Sequence, residues 1–276
     1  MHTTILNTAQ VDDMTLAYRE LGSGPPVLLL HGWPTSSFLW RDVMLPVARA
    51  NRVIALDLPG FGGSDKPPGM RYGFELFERA IDGFLAELGI DEVALAGHDT
   101  GGPVAVHWAL DRPERITSLA LLNTLVYPQF SDAVLEFVKA ASTPGMRERL
   151  TSPAGLEAAM RRGLADETRL TPEVLAGVLE PFGDDESRRS LADAGIGLEP
   201  EGFVEIERRI GSLTMPVRIV YGARDRILPD VADTMGRIAR DLPQAVLTEL
   251  PDCGHFLQEE APEEVGELLA SFFREA

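Results

Sequence analysis

Leu95-Ala-Gly-His-Asp-Thr-Gly-Gly102 joins the end of an apolar run, residues 93–97, to a run with helical spacing, residues 101–110. Glycines two positions either side of Asp99 let a chain turn sharply between strand and helix, and hold the central side chain up in a strained conformation. A serine at that point would be an acyl-transfer nucleophile, but the residue here is an aspartate. The competing reading is a plain Gly-rich turn with Asp as helix N-cap. The rest of the chain has to decide between them.

Outward from this turn, the same pairing of elements recurs. Val27-Leu-Leu-Leu-His31, Arg52-Val-Ile-Ala-Leu-Asp57, residues 116–122, 217–221 and 245–250 are short apolar runs of the kind that form buried parallel strands. Helical spacing over residues 74–88, 101–110, 231–240 and 263–273 separates or follows them. Strands alternating with helices predict a mostly parallel sheet with helices on both faces. The rhythm breaks between residues 125 and 213, which contain four helix-like segments (131–141, 154–165, 172–179 and 185–194) and no convincing strand. This reads as a helical insertion over the C-terminal edge of the sheet, where open α/β sheets bind ligands. The expected division is therefore a core of residues 1–124 and 214–276, with a cap of residues 125–213.

Composition narrows the function classes. A formal net charge of -18 opposes binding to a phosphate backbone, which needs clustered Lys and Arg, so no nucleic-acid partner is expected. The single cysteine, Cys253, rules out an internal disulfide and any Cys-based metal site. No apolar run approaches the ~20 residues needed to span a bilayer. Residues 1–20 carry no apolar signal core, and the chain is expected to be cytoplasmic, without a membrane partner.

Three further motifs accompany Asp99. His31-Gly-Trp-Pro34 follows an expected strand, where this architecture supplies one backbone N–H to a developing oxyanion; the residue after the nucleophile supplies the other. Trp33 and Thr100 are the candidate donors. Asp225, in Tyr221-Gly-Ala-Arg-Asp-Arg226, and His255, in Pro251-Asp-Cys-Gly-His-Phe256, each follow an expected strand. Either is weak alone. The order nucleophile, acid, histidine, each at a strand end, is specific.

On these residues the chain resembles an α/β-hydrolase of the haloalkane dehalogenase and epoxide hydrolase group. The resemblance covers about residues 14–122 and 214–273, and is greatest over His31-Gly-Trp-Pro-Thr-Ser-Ser-Phe-Leu-Trp-Arg41 and Asp57-Leu-Pro-Gly-Phe-Gly-Gly-Ser-Asp-Lys-Pro67. It implies an α/β-hydrolase fold, with a mostly parallel eight-stranded sheet, helices on both faces and a helical cap insertion. It also implies Asp99 as nucleophile, His255 as base and Asp225 as the acid that orients it. The other family position for the acid falls near Asn123, which is no carboxylate. His31, Gly32, Pro34, Gly97, His98 and Gly101 are expected to shape the elbow and the oxyanion loop, with His98 packed near that loop and His107 on the following helix. Neither histidine has metal-ligand spacing, so no metal and no cofactor are expected.

An aspartate there suits attack on a saturated carbon. It is ionised at neutral pH and needs no base to activate it, which leaves His255 free to activate water against the resulting alkyl ester. The leaving group is less legible. Dehalogenases typically place a Trp directly after the nucleophile, where this chain has Thr100, and an Asn after His-Gly, where it has Trp33. The indole N–H of Trp33 is a candidate leaving-group donor, and a pocket wall is the alternative. Epoxide hydrolases use two cap tyrosines, yet of Tyr18, Tyr72, Tyr127 and Tyr221 only Tyr127 touches the cap boundary. The expected substrate is a small apolar organic molecule, with water as second reactant. Phe130, Phe137, Phe182 and Phe203 suggest an apolar pocket. Epoxide hydrolysis, general-base chemistry by Asp99 and a catalytically silent binding protein remain open at this level.

Overall fold

A computed structural model describes residues 5–67 and 69–275 of the 276-residue chain. One sheet contains β1 (Leu6–Val11), β2 (Met14–Leu21), β3 (Pro26–Leu30), β4 (Arg52–Leu56), β5 (Val93–His98), β6 (Ile116–Leu122), β7 (Val217–Gly222) and β8 (Ala245–Leu250). Their spatial order is β1-β2-β4-β3-β5-β6-β7-β8. The β1–β2 and β2–β4 pairs are antiparallel and the others parallel.

The two-residue period of a strand divides the core into two layers. Along β3, Leu28 and Leu30 pack in one layer with Phe77, Phe84 and Trp108, while Val27 and Leu29 join Val265, Leu269 and Phe273 in the other. The first layer carries helices Phe74–Glu87 and Gly101–Asp111, and the second carries Pro262–Glu275. Covered on both faces, the central strands can be apolar throughout.

β1 and β2 were not individually expected. Asn7, Thr8, Gln10, Thr15, Arg19 and Glu20 interrupt any apolar run, because this hairpin lies at the sheet's edge and turns through Asp12 at φ 53.

β3 lies between β4 and β5, so the chain leaves β3 toward one edge and crosses back for β5. That reversal opens a crevice beyond the C-terminal strand ends. Leu30 pairs with Gly97, and this register sets the His31–Pro34 loop beside Asp99.

Between β6 and β7 the described chain is helical: Asp132–Ser142, Met146–Leu150, Pro153–Gly163, Pro172–Leu179, Asp185–Gly195 and Pro200–Arg209, with short 3-10 turns. Ser131, Ser152, Thr171 and Asp184 cap four of these through side-chain oxygens. Those four match the segments read from the sequence. Pro200–Arg209 was missed because Pro200 and Gly202 look like breakers, yet proline is well placed in a first turn, where its missing N–H has no partner to lose. Met146–Leu150 is a five-residue turn directly after Pro144-Gly145. Among the described residues no helix is long and apolar enough to cross a membrane.

Candidate active site

Asp99 has φ 48, a left-handed conformation that costs a non-glycine residue on the order of 1–3 kcal/mol. Several bonds hold it there. Its N–H donates to the Asn123 carbonyl at 3.2 Å, and its own carbonyl accepts from Gly102 N–H at 3.0 Å and Thr124 Oγ1 at 2.6 Å. Two glycines are sterically required. A Cβ on Gly101 would lie 2.5 Å from the His31 carbonyl oxygen, and one on Gly32 would lie 2.3 Å from Asp99 Oδ1.

The two carboxylate oxygens of Asp99 face different neighbours. Oδ1 accepts the Trp33 backbone N–H at 2.7 Å and the Thr100 hydroxyl at 3.0 Å, and the Thr100 backbone N–H also bonds the carboxylate. Oδ2 lies 3.5 Å from His255 Nε2. On its far side His255 Nδ1–H donates to Asp225 Oδ2 at 2.7 Å. Asp225 is fixed in turn: Oδ1 accepts from the N–H groups of Ile227 (2.7 Å) and Leu228 (2.8 Å), and Oδ2 from Asn123 Nδ2 (2.7 Å). The structure thus brings Asp99, Thr100, Trp33, Asp225 and His255 into one array.

Burial and charge oppose each other in this array. Burial favours a neutral Asp99, but hydrogen bonding and charge from His255 outweigh it and hold the carboxyl well below the usual carboxylate range. Asp225 is lowered by the same competition. Burial alone would depress His255; Asp225, followed by Asp99, reverses this and pushes it up to about 10. The His255 ring is fully buried, and its Nε2 contact is Asp99 Oδ2 at 3.5 Å.

His31 is buried beneath the loop it begins. Its Nε2 accepts the Leu58 N–H at 3.1 Å, so Nδ1 carries the proton and donates to the Gly32 carbonyl. Thr35 N–H and Oγ1 reach the same carbonyl, closing the turn through Pro34. His98 differs from expectation. It leans mainly on His255 rather than on the His31–Pro34 loop, with Nε2–H donating to the His255 carbonyl at 2.9 Å and ring centroids 4.8 Å apart. β5 points this side chain toward the β8 loop, and burial with the nearby His255 charge pushes it down to about 3, so it stays neutral. His107 lies outside the array, between Glu78 and Glu205.

Three residues with no functional part in the sequence reading support the array. Asn123, dismissed as an acid, is its hub: besides Asp225 it binds the Gly254 carbonyl through Nδ2 and the Gly222 N–H through Oδ1. Its signal was its place directly beyond β6. Arg226, next to Asp225, donates to the carbonyls of Arg161, Arg162 and Leu164. Glu260 accepts the N–H groups of Gly254 and Asp166, while His255 N–H donates to the Gly163 carbonyl. Their partners are distant in sequence and mostly backbone, so no local pattern announces them.

A cavity of about 830 Å³ opens above Asp99. Trp33, Thr100 and Pro103 line its floor, and Phe130, Phe137, Leu150, Ala159 and Phe203 line walls from the helical segment. Phe182 is buried and does not line it, so it fits the alternative reading of these phenylalanines, packing between helices. No tyrosine lines it, and the Tyr127 hydroxyl donates to Asp241. The Trp33 indole packs edge-on against Phe137 at 4.8 Å, and its buried Nε1–H has no partner among the described residues.

Comparison with known proteins follows this geometry. The family model described as alpha/beta hydrolase fold matches residues 25–262. Haloalkane dehalogenase 2 of Mycobacterium tuberculosis is 30% identical, over 93% of this chain and 90% of its own. A haloalkane dehalogenase of Mesorhizobium japonicum is 31% identical, over 95% and 89%. The crystal structure of haloalkane dehalogenase DbeA from Bradyrhizobium elkani superposes with a TM-score of 0.87 at 28% identity, over 98% of each chain.

Proposed function

The chain belongs to the α/β-hydrolase fold family, and on that premise we propose that it hydrolyses small apolar substrates at a saturated carbon, through an alkyl ester of Asp99, in the manner of a haloalkane dehalogenase. Residues 125–213 act as the cap over a core of residues 1–124 and 214–276. The observation that carries this reading is the unequal environment of the Asp99 oxygens. Oδ1 sits in a cradle of donors, while Oδ2 lies 3.5 Å from His255 Nε2, and Asp99 itself lines the cavity.

In the first half-reaction Asp99 Oδ2 attacks the substrate carbon, the C–Oδ2 bond forms, and the leaving group departs with the electrons of its bond. Asp99 is ionised without help, so His255 has no part in this step. In the second, His255 Nε2 takes a proton from water as the water oxygen attacks Asp99 Cγ. Negative charge then develops on Oδ1, facing the N–H groups of Trp33 and Thr100. Collapse breaks the Cγ–Oδ2 bond, and the alkoxide recovers the proton from His255 and leaves as the alcohol. Asp225 stabilises the imidazolium between these events.

A departing halide needs donors but no proton. Trp33 lines the cavity and its buried Nε1–H has no partner among the described residues, so we assign this donor-only group to the leaving group. Opening an epoxide needs an acid, which the lining lacks in tyrosine form. Replacing His255 with Ala tests the nucleophile: with 1-bromohexane the variant accumulates a hexyl adduct that peptide mass spectrometry maps to Asp99. Turnover of bromohexane by the parent with no adduct in the variant overturns the assignment.

A further inference from the structure

Thr100 occupies the position directly after the proposed nucleophile, and its hydroxyl has an unusual commitment. As the N-cap of helix Gly101–Asp111, its side chain would ordinarily accept an N–H of the first turn. It makes no such cap bond. The Oγ1 atom instead lies 3.0 Å from Asp99 Oδ1. An ionised carboxylate only accepts, so the hydroxyl donates.

We infer that the Thr100 hydroxyl is a catalytic donor for the ester-hydrolysis step, acting on the oxyanion at Oδ1 beside the Trp33 N–H, and that this position serves the second half-reaction rather than the leaving group. The inference rests on the reading of Asp99 as nucleophile. Its chemical basis is the change of charge on Oδ1. The Trp33 N–H and the Thr100 hydroxyl take the two lone pairs this atom offers. When water adds to Cγ, the carbonyl π electrons move to Oδ1, which turns from a neutral ester oxygen into a full alkoxide. The hydroxyl bond therefore strengthens between the alkyl-enzyme and the transition state, the condition for lowering a barrier rather than tightening a ground state. The N-terminal end of helix Gly101–Asp111 adds its partial positive charge at the same atom. In the first half-reaction the same hydrogen bond draws charge from the attacking carboxylate and gives no assistance.

The test separates the two half-reactions. Alkylation is followed as adduct formation from 1-bromohexane in the His255→Ala background, with and without Thr100→Val. Ester decay is followed by rapid quench and mass spectrometry in the parent background for Thr100→Val and Thr100→Ser. Thr100→Val is expected to slow decay about ten- to hundredfold, as loss of an oxyanion donor does, while alkylation changes less than about threefold. Thr100→Ser keeps the donor and retains decay within about threefold of the parent. If Val disturbs folding, as judged by thermal melting, Thr100→Ala removes the same hydroxyl. Unchanged decay without the hydroxyl, a Ser variant as slow as Val, or alkylation slowed as much as decay each overturns the inference. Slowing of alkylation that is greater for chloride than for iodide reassigns the hydroxyl to the leaving group. Absence of any Asp99 adduct in His255→Ala is the separate failure of the nucleophile reading, and the inference falls with it.

Discussion

The proposed base should become competent only after the first half-reaction, and the size of that change follows from the geometry. In the free enzyme two carboxylates push His255 up to about 10, one through Nδ1 and the other, Asp99, 3.5 Å from Nε2. Alkylation turns Asp99 into a neutral ester. Unit charges at that distance interact by about 4.7 kcal/mol at an effective dielectric of about 20, equivalent to about three and a half pKa units. Removing that attraction drops His255 from about 10 to about 6.5. At neutral pH its neutral fraction then rises from about one in a thousand to about three quarters. Two pH profiles should result. Decay of the alkyl-enzyme, measured by pH-jump after a single-turnover burst, rises about tenfold per pH unit on the acid side and levels off above about pH 7. Alkylation stays flat from about pH 9 down to about pH 5, because Asp99 is held below the usual carboxylate range and remains ionised throughout. Decay still rising toward a midpoint near 10 would show that alkylation does not release the base. Alkylation falling between about pH 7 and pH 5 would show that Asp99 is not the group that attacks.

Other consequences are measurable on the same protein. A single turnover in ¹⁸O-water should leave the label in the Asp99 carboxylate and none in the alcohol, since water attacks Cγ; label in the alcohol means direct displacement by water. Asn123→Ala leaves the Gly222 N–H unpaired and removes one of the four bonds that hold the Asp225 carboxylate, so urea unfolding should show a loss of about 2–4 kcal/mol and turnover a fall of about tenfold. Trp33→Phe keeps the backbone donor and a ring against Phe137 but removes Nε1–H, so chloroalkane alkylation should slow about tenfold with ester decay unchanged. Fluorescence quenching by bromide should weaken in the same variant, and undiminished quenching removes Trp33 as the halide donor.

The sequence carried the parts of this protein that are locally encoded. Central strands buried on both faces must be apolar, so β3 to β7 stood out, and the glycines around Asp99 marked a turn that Cβ atoms would close. β8 was legible from its apolar residues alone, although it is an edge strand with Val246 and Leu247 exposed. Four helices between β6 and β7 were legible from spacing and from the Pro and Gly between them, and the structure adds the caps Ser131, Ser152, Thr171 and Asp184, each acting within three residues. Parts built from distant partners did not appear. The β1–β2 hairpin is half polar because one side has no neighbouring strand. Asn123 was judged as a failed acid, whereas its amide donates to one carboxylate while accepting from a backbone N–H, which no carboxylate could do. His98 was placed by sequence proximity to the oxyanion loop, but its side chain is directed by the pleat of β5 toward His255. The order Asp99, Asp225, His255 was legible because each follows its own strand, and the structure brings the three together; what holds this proposed triad still was not.

Those supports link the cavity wall to the catalytic residues. The end of helix Pro153–Gly163 and Leu164 directly after it supply the carbonyls bound by Arg226 and the Gly163 carbonyl bound by His255 N–H. Glu260 closes the ring by gripping Gly254 and Asp166 together. Gly155, Ala158 and Ala159 on the same helix line the cavity. Enlarging a side chain there therefore pushes against the loops that carry Asp225 and His255, and should lower the rate of ester decay along with substrate affinity. Helix Asp132–Ser142 has no such tie, and only Ala141 is buried on it. Substitutions at Leu135 or Val138, which line the cavity from a mostly exposed helix, should shift KM across a bromoalkane series while leaving alkyl-enzyme decay unchanged. A decay rate that moves as much with Leu135 or Val138 as with Ala158 or Ala159 would mean the whole cap, not the 161–166 junction, holds the base in place.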